Sequence, residues 1–228
     1  MIKLAVFDMA GTTISDDGAV QQHLFQALVS AGANPVMDDV NALMGYPKPL
    51  AISMLLSQYL DQDIAIDHEL TQKAHATFLN TLDHHYATTE NLKPTPNAED
   101  IFEMMHQNGI KVALDTGFGR STAEIIVQRL GWLDRKCIDF LITSDDVEQG
   151  RPEPDMIYAA MEAFNVKDTS QVIKIGDTKS DMLQGTVANC AFVVGVTTGA
   201  YTEADLKEFP HTHLIDNLMS LKDILQLK

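Results

Sequence analysis

Short β-rich runs and helical patterns alternate along the chain from Gly109 onwards, and this alternation limits the possible fold more than any other feature. Apolar or β-branched runs are separated by stretches in which apolar residues recur at helical spacing. Because this pattern is typical of strand–helix–strand units, it predicts an α/β fold with a doubly wound, mainly parallel sheet. We expect strands at Ile2 to Phe7, Ile110 to Leu114, Phe140 to Thr143, Val172 to Ile175, Ala191 to Val196 and His213 to Ile215, with helices at Ser121 to Leu130, Pro154 to Phe164 and Lys179 to Ala188.

The segment from about Ser15 to Asn91 lacks this alternation and is expected to be wholly helical. Its apolar residues recur on one helical face, as Val20, Leu24 and Leu28 do. An all-helical insert between the first strand and the rest of the sheet predicts a small second domain. We expect the core domain to comprise residues 1–14 and 97–228, and the inserted domain with its two linkers to comprise residues 15–96.

The charge balance excludes several classes of partner. Sixteen Lys and Arg residues stand against 32 Asp and Glu residues, for a net charge of −16, so the surface is expected to repel nucleic acid and anionic membrane. No apolar run approaches the roughly 20 residues needed to span a bilayer. A strand begins directly after Met1 without a signal-peptide pattern, which predicts a cytoplasmic protein. For the oligomeric state, the sequence leaves a monomer and a homodimer open.

Carboxylates follow two of the predicted buried strands. Asp8 comes after Ile2 to Phe7, and Asp177 comes after Val172 to Ile175 and Gly176. The carboxyl ends of parallel strands meet at one edge of the sheet, where open α/β folds bind their ligands. Two such carboxylates suit Mg²⁺, which prefers oxygen ligands. The sequence therefore predicts a magnesium site at this edge.

Other strand-end residues supply what a bound phosphoryl group needs. Thr116 and Gly117 follow the strand at Ile110 to Leu114 and offer a hydroxyl and backbone N–H groups. Arg151, held between Gly150 and Pro152, offers a cation, and Arg120 is expected to add another. Each residue alone is a weak signal. Their combination at one sheet edge predicts a phosphoryl-transfer enzyme acting on a small anionic substrate.

The order of these motifs resembles that of the haloacid dehalogenase superfamily: a nucleophilic Asp, then a Ser or Thr, then a Lys or Arg, then an acidic metal-binding motif. The resemblance covers the core domain, which it implies is Rossmann-like, and the helical insert resembles the superfamily's cap domain. It implies that Asp8 attacks phosphorus to form an aspartyl-phosphate. It also implies that Thr116 and Arg151 position the phosphoryl group and that Asp177 binds Mg²⁺ with Asp181 behind it.

Ala10 stands where most of that superfamily carries a second Asp, which serves as general acid and base. The pattern Asp8-x-Ala10-Gly11-Thr12-Thr13 resembles the phosphonoacetaldehyde hydrolase branch, as does Met44-Gly45-x-x-Lys48. This resemblance implies that Lys48 forms a Schiff base with an aldehyde and allows a carbon–phosphorus bond to break. In that branch a His follows the Lys by three residues, whereas this chain has Ala51. By the same resemblance, Gly11, Thr12, Gly45 and Ala10 contact substrate, and the carbonyl of Ala10 also binds the metal.

Three interpretations therefore stay open. The first is a Mg²⁺-dependent hydrolase of a small phosphonate or phosphorylated metabolite, in which Lys48 forms an imine or makes only an electrostatic contact. The second is a phosphatase that acts on small phosphate esters. The third is a catalytically silent protein that binds a phosphate ligand.

Overall fold

The computed structural model describes residues 1–15, 18–44 and 46–228. Within these residues, one parallel sheet contains the strands β1 (Leu4–Phe7), β2 (Lys111–Thr116), β3 (Phe140–Thr143), β4 (Val172–Gly176), β5 (Phe192–Val196) and β6 (His213–Ile215). The strand order is β3-β2-β1-β4-β5-β6, so β1 and β4 are neighbours at its centre. The predicted doubly wound α/β fold is confirmed.

Helices cover both faces of the sheet, and further helices form the segment inserted after β1. They are α1 (Ala19–Ser30), α2 (Met37–Ala42), α3 (Lys48–Leu60), α4 (Glu69–Thr88), α5 (Ala98–Gln107), α6 (Arg120–Arg129), α7 (Asp155–Ala163), α8 (Lys179–Val187), α9 (Glu203–Leu206) and α10 (Leu221–Leu225). Every residue of β1 and β4 is buried. Strands covered on both faces are mostly apolar, which explains why both were visible in the sequence although β4 contains Lys174.

Helices α1 to α4 lie between β1 and the rest of the sheet, as the absence of alternation predicted. The two connections to this helical segment run side by side, because Ser15 N–H donates to Lys93 O (3.1 Å) and Thr95 N–H donates to Thr13 O (2.9 Å). These bonds lie close to the predicted boundaries after residues 14 and 96. The division into two domains stays a prediction.

The helical segment is also bonded to the core at α6. Asp83 on α4 accepts hydrogen bonds from the hydroxyls of Ser121 (2.7 Å) and Thr122 (2.5 Å). Arg129, at the other end of α6, donates to the backbone carbonyls of Tyr86 (2.7 Å) and Thr89 (2.8 Å). The C-terminal half of α4 is therefore held along the whole length of α6.

Aromatic rings join β1 to the helices behind it. Phe102 on α5 lies edge-on to Phe7 at 5.2 Å between ring centroids and edge-on to Trp132 at 5.5 Å. All three rings are fully buried. Edge-to-face rings at this separation add to the free energy gained from area burial.

Replacing Phe102 with Ala is expected to lower the free energy of unfolding by about 3–5 kcal/mol, because it removes both ring contacts and leaves a cavity. Urea unfolding followed by circular dichroism measures this change. Leu133→Ala is the matched control, since Leu133 is 48% exposed and a surface truncation changes stability by only about 0.5 kcal/mol. Equal effects of the two substitutions would contradict the packing described here.

Candidate active site

Asp8 extends from the end of β1 into a tight turn at the edge of the sheet. Its N–H still donates to Ile175 O of β4 (2.9 Å), so the backbone is held in line with the strand. The turn closes because the N–H groups of Thr13 and Ile14 donate to Met9 O at 2.8 and 2.9 Å. Only 4% of the Asp8 residue is exposed. A carboxylate is thereby fixed at the centre of the sheet edge.

Gly11 occupies a position in this turn that only a glycine suits. Its φ of +81° is in the left-handed region, and a side chain there would overlap the Asp177 carboxylate. Gly199 approaches the same carboxylate from the loop after β5. Asp177 accepts hydrogen bonds from the Thr12 hydroxyl (3.2 Å) and from the N–H of Ala200 (2.5 Å). Backbone and hydroxyl donors thus orient Asp177 toward Asp8.

Asp181 is held by the start of α8. Thr178 and Asp181 form a capping box, in which Asp181 Oδ2 accepts from the Thr178 hydroxyl (2.5 Å) and N–H (3.2 Å). The other oxygen, Oδ1, accepts from Arg151 and from Lys174 Nζ (2.9 Å). Both oxygens of Asp181 are therefore engaged within the protein.

Two buried cations balance part of this acidic edge. Arg151 Nη1 donates to Asp8 Oδ1 (2.7 Å) as well as to Asp181, and the residue is 5% exposed. Lys174, in the middle of β4, is fully buried and forms ion pairs with Asp115 of β2 and with Asp181. Four carboxylates thus face two cations, which leaves two uncompensated negative charges at the sheet edge.

Lys174 and Asp115 received no role in the sequence analysis. Lys174 carried a usable signal, since a charged residue inside the apolar run Val172 to Ile175 needs a buried partner. Asp115 stands directly before Thr116 on β2 and lies 0% exposed. Which carboxylate meets which lysine depends on the pairing of strands, which the sequence does not show.

Burial and neighbouring charges shift the pKa values of the acidic residues. Burial raises the pKa of Asp8 to about 6, with Arg151 opposing the rise and Asp181 adding to it. Burial also raises the pKa of Asp177 well above its ordinary value, and the neighbouring Asp8 and Asp181 raise it further. Burial acts in the same direction on Asp181, but Arg151 and Lys174 outweigh it and lower the pKa of Asp181 to about 2.

These carboxylates fit a divalent cation. One oxygen from each of Asp8, Asp177 and Asp181 lies within 4.8 Å of the others. All are hard oxygen donors, the ligand type that Mg²⁺ prefers. A divalent cation would also offset the negative charge of these buried carboxylates. The donor set and the charge balance therefore both suit a metal ion.

A small cavity of about 40 Å³ opens above the acidic cluster. The sheet edge lines it with Asp8, Ala10, Thr116, Gly117, Phe118, Arg151, Asp177, Thr178 and Ala200, and the helical segment lines it with Val20, Gln21, Met44 and Lys48. Water occupies about 10–15 Å³ on this measure, so the space suits only a small group. Residues from both parts of the chain meet in this cavity.

Lys48 reaches the cavity from the first turn of α3. Only 5% of the residue is exposed, and Nζ donates to Tyr46 O at 3.3 Å. A backbone carbonyl therefore helps to hold an amine against the space above Asp8. Lys48 therefore lies beside the predicted site residues of the sheet edge. Within the described residues, it is the predicted site residue that the helical segment supplies.

The structure does not bring Arg120 to the cavity. Its guanidinium is paired with Asp146 and lies 3.7 Å from Glu124, and its backbone N–H donates to Asp145 at 2.7 Å. An arginine at the start of a helix finds nearby carboxylates there, so Arg120 serves the loop after β3 instead of the predicted substrate contact. Gly45, the other predicted contact from the helical segment, lies outside the described residues.

The fold places a buried acidic cluster and two cations at the carboxyl edge of a doubly wound α/β sheet, where such folds carry their active sites. The chain belongs to the haloacid dehalogenase-like hydrolase family, whose model matches residues 2–189. Its described residues contain no helix with the length and apolar character needed to cross a membrane.

Named relatives extend this comparison. The chain is 30% identical over 213 residues to a phosphonoacetaldehyde hydrolase from Bacillus cereus, with 87% of this chain and 77% of that protein aligned. It is 29% identical over 199 residues to a bifunctional phosphonoacetaldehyde hydrolase/aminoethylphosphonate transaminase from Clostridioides difficile, covering 81% of this chain but only 30% of that protein. The crystal structure of a hydrolase from Pseudomonas syringae has the same fold, with a TM-score of 0.85, 22% identity and 98% of each chain covered.

With a chelator present, the free energy of unfolding of Asp8→Asn, taken relative to that of the wild type, is expected to rise as the pH rises from about 4 to about 7. The wild-type carboxyl, with its raised pKa in the folded state, contributes stability below about pH 4 and loses it as the pH passes about 6. The pH-dependent gain is expected to reach about 3 kcal/mol, at about 1.4 kcal/mol per pKa unit. Urea unfolding at several pH values measures it.

Asp134→Asn is the control for this series, because Asp134 is an exposed carboxylate of the same chain. It is expected to show no comparable pH-dependent gain. A difference between Asp8→Asn and wild type that stays constant across the range would contradict the described burial of Asp8.

Proposed function

We propose that this protein is a Mg²⁺-dependent hydrolase of a small phosphonate, which forms an aspartyl-phosphate on Asp8 and releases the carbon group through an imine on Lys48. The observation that carries the proposal is the shared cavity: Lys48, Asp8 and Arg151 line one small space to which Ala10 brings no carboxylate. An alkoxide leaving group would need an acid at that position. An imine accepts the departing electron pair instead.

The residues of the sheet edge are proposed to hold the phosphoryl group. Arg151 offers a buried guanidinium next to Asp8, and Thr116 and Gly117 line the cavity on the side of β2. Donors fixed before the reaction stabilise charge that develops on phosphoryl oxygens. We propose contacts from the turn residues Gly11 and Thr12 as well, which already pack against Asp177.

Asp8, Asp177 and the carbonyl of Ala10 are the proposed ligands of Mg²⁺. Asp181 already pairs with two buried cations, so we place it behind these ligands, where it orients Arg151 and Lys174. When bound, Mg²⁺ supplies positive charge that neutralises phosphoryl oxygens and aligns them with the nucleophile.

The proposed chemistry balances with water as the second substrate. Lys48 Nζ adds to the aldehyde carbon and water leaves, which gives an iminium ion. Asp8 attacks phosphorus, the carbon–phosphorus bond breaks, and its electron pair moves toward the iminium nitrogen to give an enamine. Protonation of the enamine carbon and hydrolysis then free Lys48 and acetaldehyde. A further water hydrolyses the aspartyl-phosphate.

We propose that residues 15–96 form a cap domain over this site. Support comes from the four helices between β1 and α5, from the paired connections at Ser15 and Thr95, and from Lys48 in the cavity wall. The similarity to phosphonoacetaldehyde hydrolases over 87% of the chain supports the same arrangement.

Incubation with phosphonoacetaldehyde and Mg²⁺ is expected to release phosphate, and borohydride added during turnover is expected to trap a reduced adduct on Lys48. Intact-mass spectrometry with peptide mapping locates the adduct. Lys48→Arg keeps the charge but forms no imine, so it is expected to lose both adduct and phosphate release.

Lys73→Arg is the control for this experiment, because Lys73 lies on α4 with 70% of its side chain exposed and pairs with Glu69 at 2.6 Å. This variant is expected to behave as wild type. Full phosphate release by Lys48→Arg would exclude imine chemistry.

Beryllofluoride together with Mg²⁺ is expected to raise the melting temperature, since it mimics a phosphoryl group bound to an aspartate. Asp8→Asn is expected to abolish the rise, and Asp134→Asn is expected to keep it. Differential scanning fluorimetry measures both. A catalytically silent protein that binds an intact phosphate ligand would show little dependence on Asp8.

Ala51 favours a second candidate, a hydrolase of small phosphate esters. This residue is 0% exposed and occupies the position at which phosphonoacetaldehyde hydrolases are expected to carry a His. In this case Lys48 would contact the substrate by charge alone. Phosphate release from esters without any adduct on Lys48 would establish this function instead.

A further inference from the structure

Gln21 is a polar residue of the cavity wall that the proposed mechanism does not use. It lies in the first turn of α1 and lines the cavity together with Lys48 and Asp8. Its Oε1 is buried and accepts no hydrogen bond within the described residues. A buried amide oxygen without a donor carries the full cost of losing water, so native proteins usually satisfy such atoms.

The neighbouring residues of the helical segment in the cavity wall give Gln21 Oε1 no hydrogen-bond donor. Val20 and Met44, which line the cavity from the same helical segment, are apolar, and Lys48 directs a hydrogen bond to Tyr46 O at 3.3 Å. Within the described residues, the helical segment places one neutral polar side chain in the cavity wall, that of Gln21. A ligand in the cavity is therefore the natural partner of its amide.

The position of Gln21 selects which half of a substrate it meets. The groups that suit a phosphoryl group, Arg151 and Thr116, belong to the sheet edge, and Asp8 lies beside Arg151. Gln21 and Lys48 belong to the opposite, helical wall. Gln21 therefore lies away from the groups that suit a phosphoryl group, on the part of the wall that the helical segment supplies.

We propose that Gln21 is a specificity-determining residue that hydrogen-bonds a hydroxyl group on the organic part of the phosphonate or phosphate substrate. This inference rests on the proposed function. A hydroxyl donates to the unpaired Oε1. The substrate class is thus a small phosphonate or phosphate whose organic part carries a hydroxyl group as well as the group that Lys48 engages.

Other polar groups fit this wall less well. An ammonium group would meet the like charge of Lys48, and a carboxylate would meet the surplus negative charge around Asp8 and Asp177. An aldehyde oxygen or an alkyl group donates no hydrogen bond and would leave Oε1 unpaired. Discrimination of this kind is strong where a site is built to bond a hydroxyl.

The test compares unreactive ligands that differ by one hydroxyl, so that it does not depend on turnover. 2-Hydroxyethylphosphonate is compared with ethylphosphonate, and 3-hydroxypropylphosphonate with propylphosphonate, by calorimetric titration in the presence of Mg²⁺. These compounds lack a carbonyl and form no imine with Lys48. In the wild type, at least one hydroxylated compound is expected to bind about tenfold more tightly than its partner.

Gln21→Met, which keeps the length of the side chain but removes the amide, is expected to bind both members of each pair equally. Gln22→Met is the matched control, because Gln22 is the exposed neighbour on the same helix, and it is expected to keep the tenfold preference. Each melting temperature is measured first to confirm that the variants are folded.

The outcomes separate the two proposals. If the phosphonates bind but the wild type shows no preference in either pair, or Gln21→Met keeps the preference, the role of Gln21 is overturned and the proposed function stands. If none of the four phosphonates binds to the wild type with Mg²⁺, the proposed phosphonate site fails and the inference fails with it.

Discussion

The buried ion network at the carboxyl end of β1 and β4 is the constraint on which the site depends. Lys174 and Arg151 both pair with Asp181, and each of them also holds a second carboxylate, Asp115 or Asp8. Removing one member of such a network would leave a buried charge without its partner, which is far more costly than the pair is stabilising. The network therefore fixes Asp8, Arg151 and Asp181 as one unit.

The same network leaves the site short of positive charge. Two cations do not balance four carboxylates, and neighbouring carboxylates add to the burial that raises the pKa values of Asp8 and Asp177. This arrangement suits a protein that binds a divalent cation and then a dianionic group at this edge. The cation would reduce the repulsion among the carboxylates before the dianionic group binds.

The two parts of the chain contribute different kinds of side chain to the cavity. The sheet edge contributes carboxylates, a guanidinium and backbone donors, all held by strands and a helix cap. The helical segment contributes an amine, an amide and two apolar side chains to the opposite wall. In this second wall, Oε1 of Gln21 has no hydrogen-bond partner within the described residues.

Much of this organisation was already determined by the sequence. The strand at Phe140–Thr143 was predicted with its observed bounds, and β1, β4 and β5 were predicted to within two residues, because strands covered on both faces are mostly apolar. Asp8 and Asp177 were placed at one edge because parallel strands end together. Tertiary structure decided the rest: that Lys174 meets Asp115, that Arg120 turns away to Asp146, and that Gln21 faces the cavity. These depend on strand order and on how one helix lies over another, and local patterns of side chains do not encode contacts between residues so far apart in the chain.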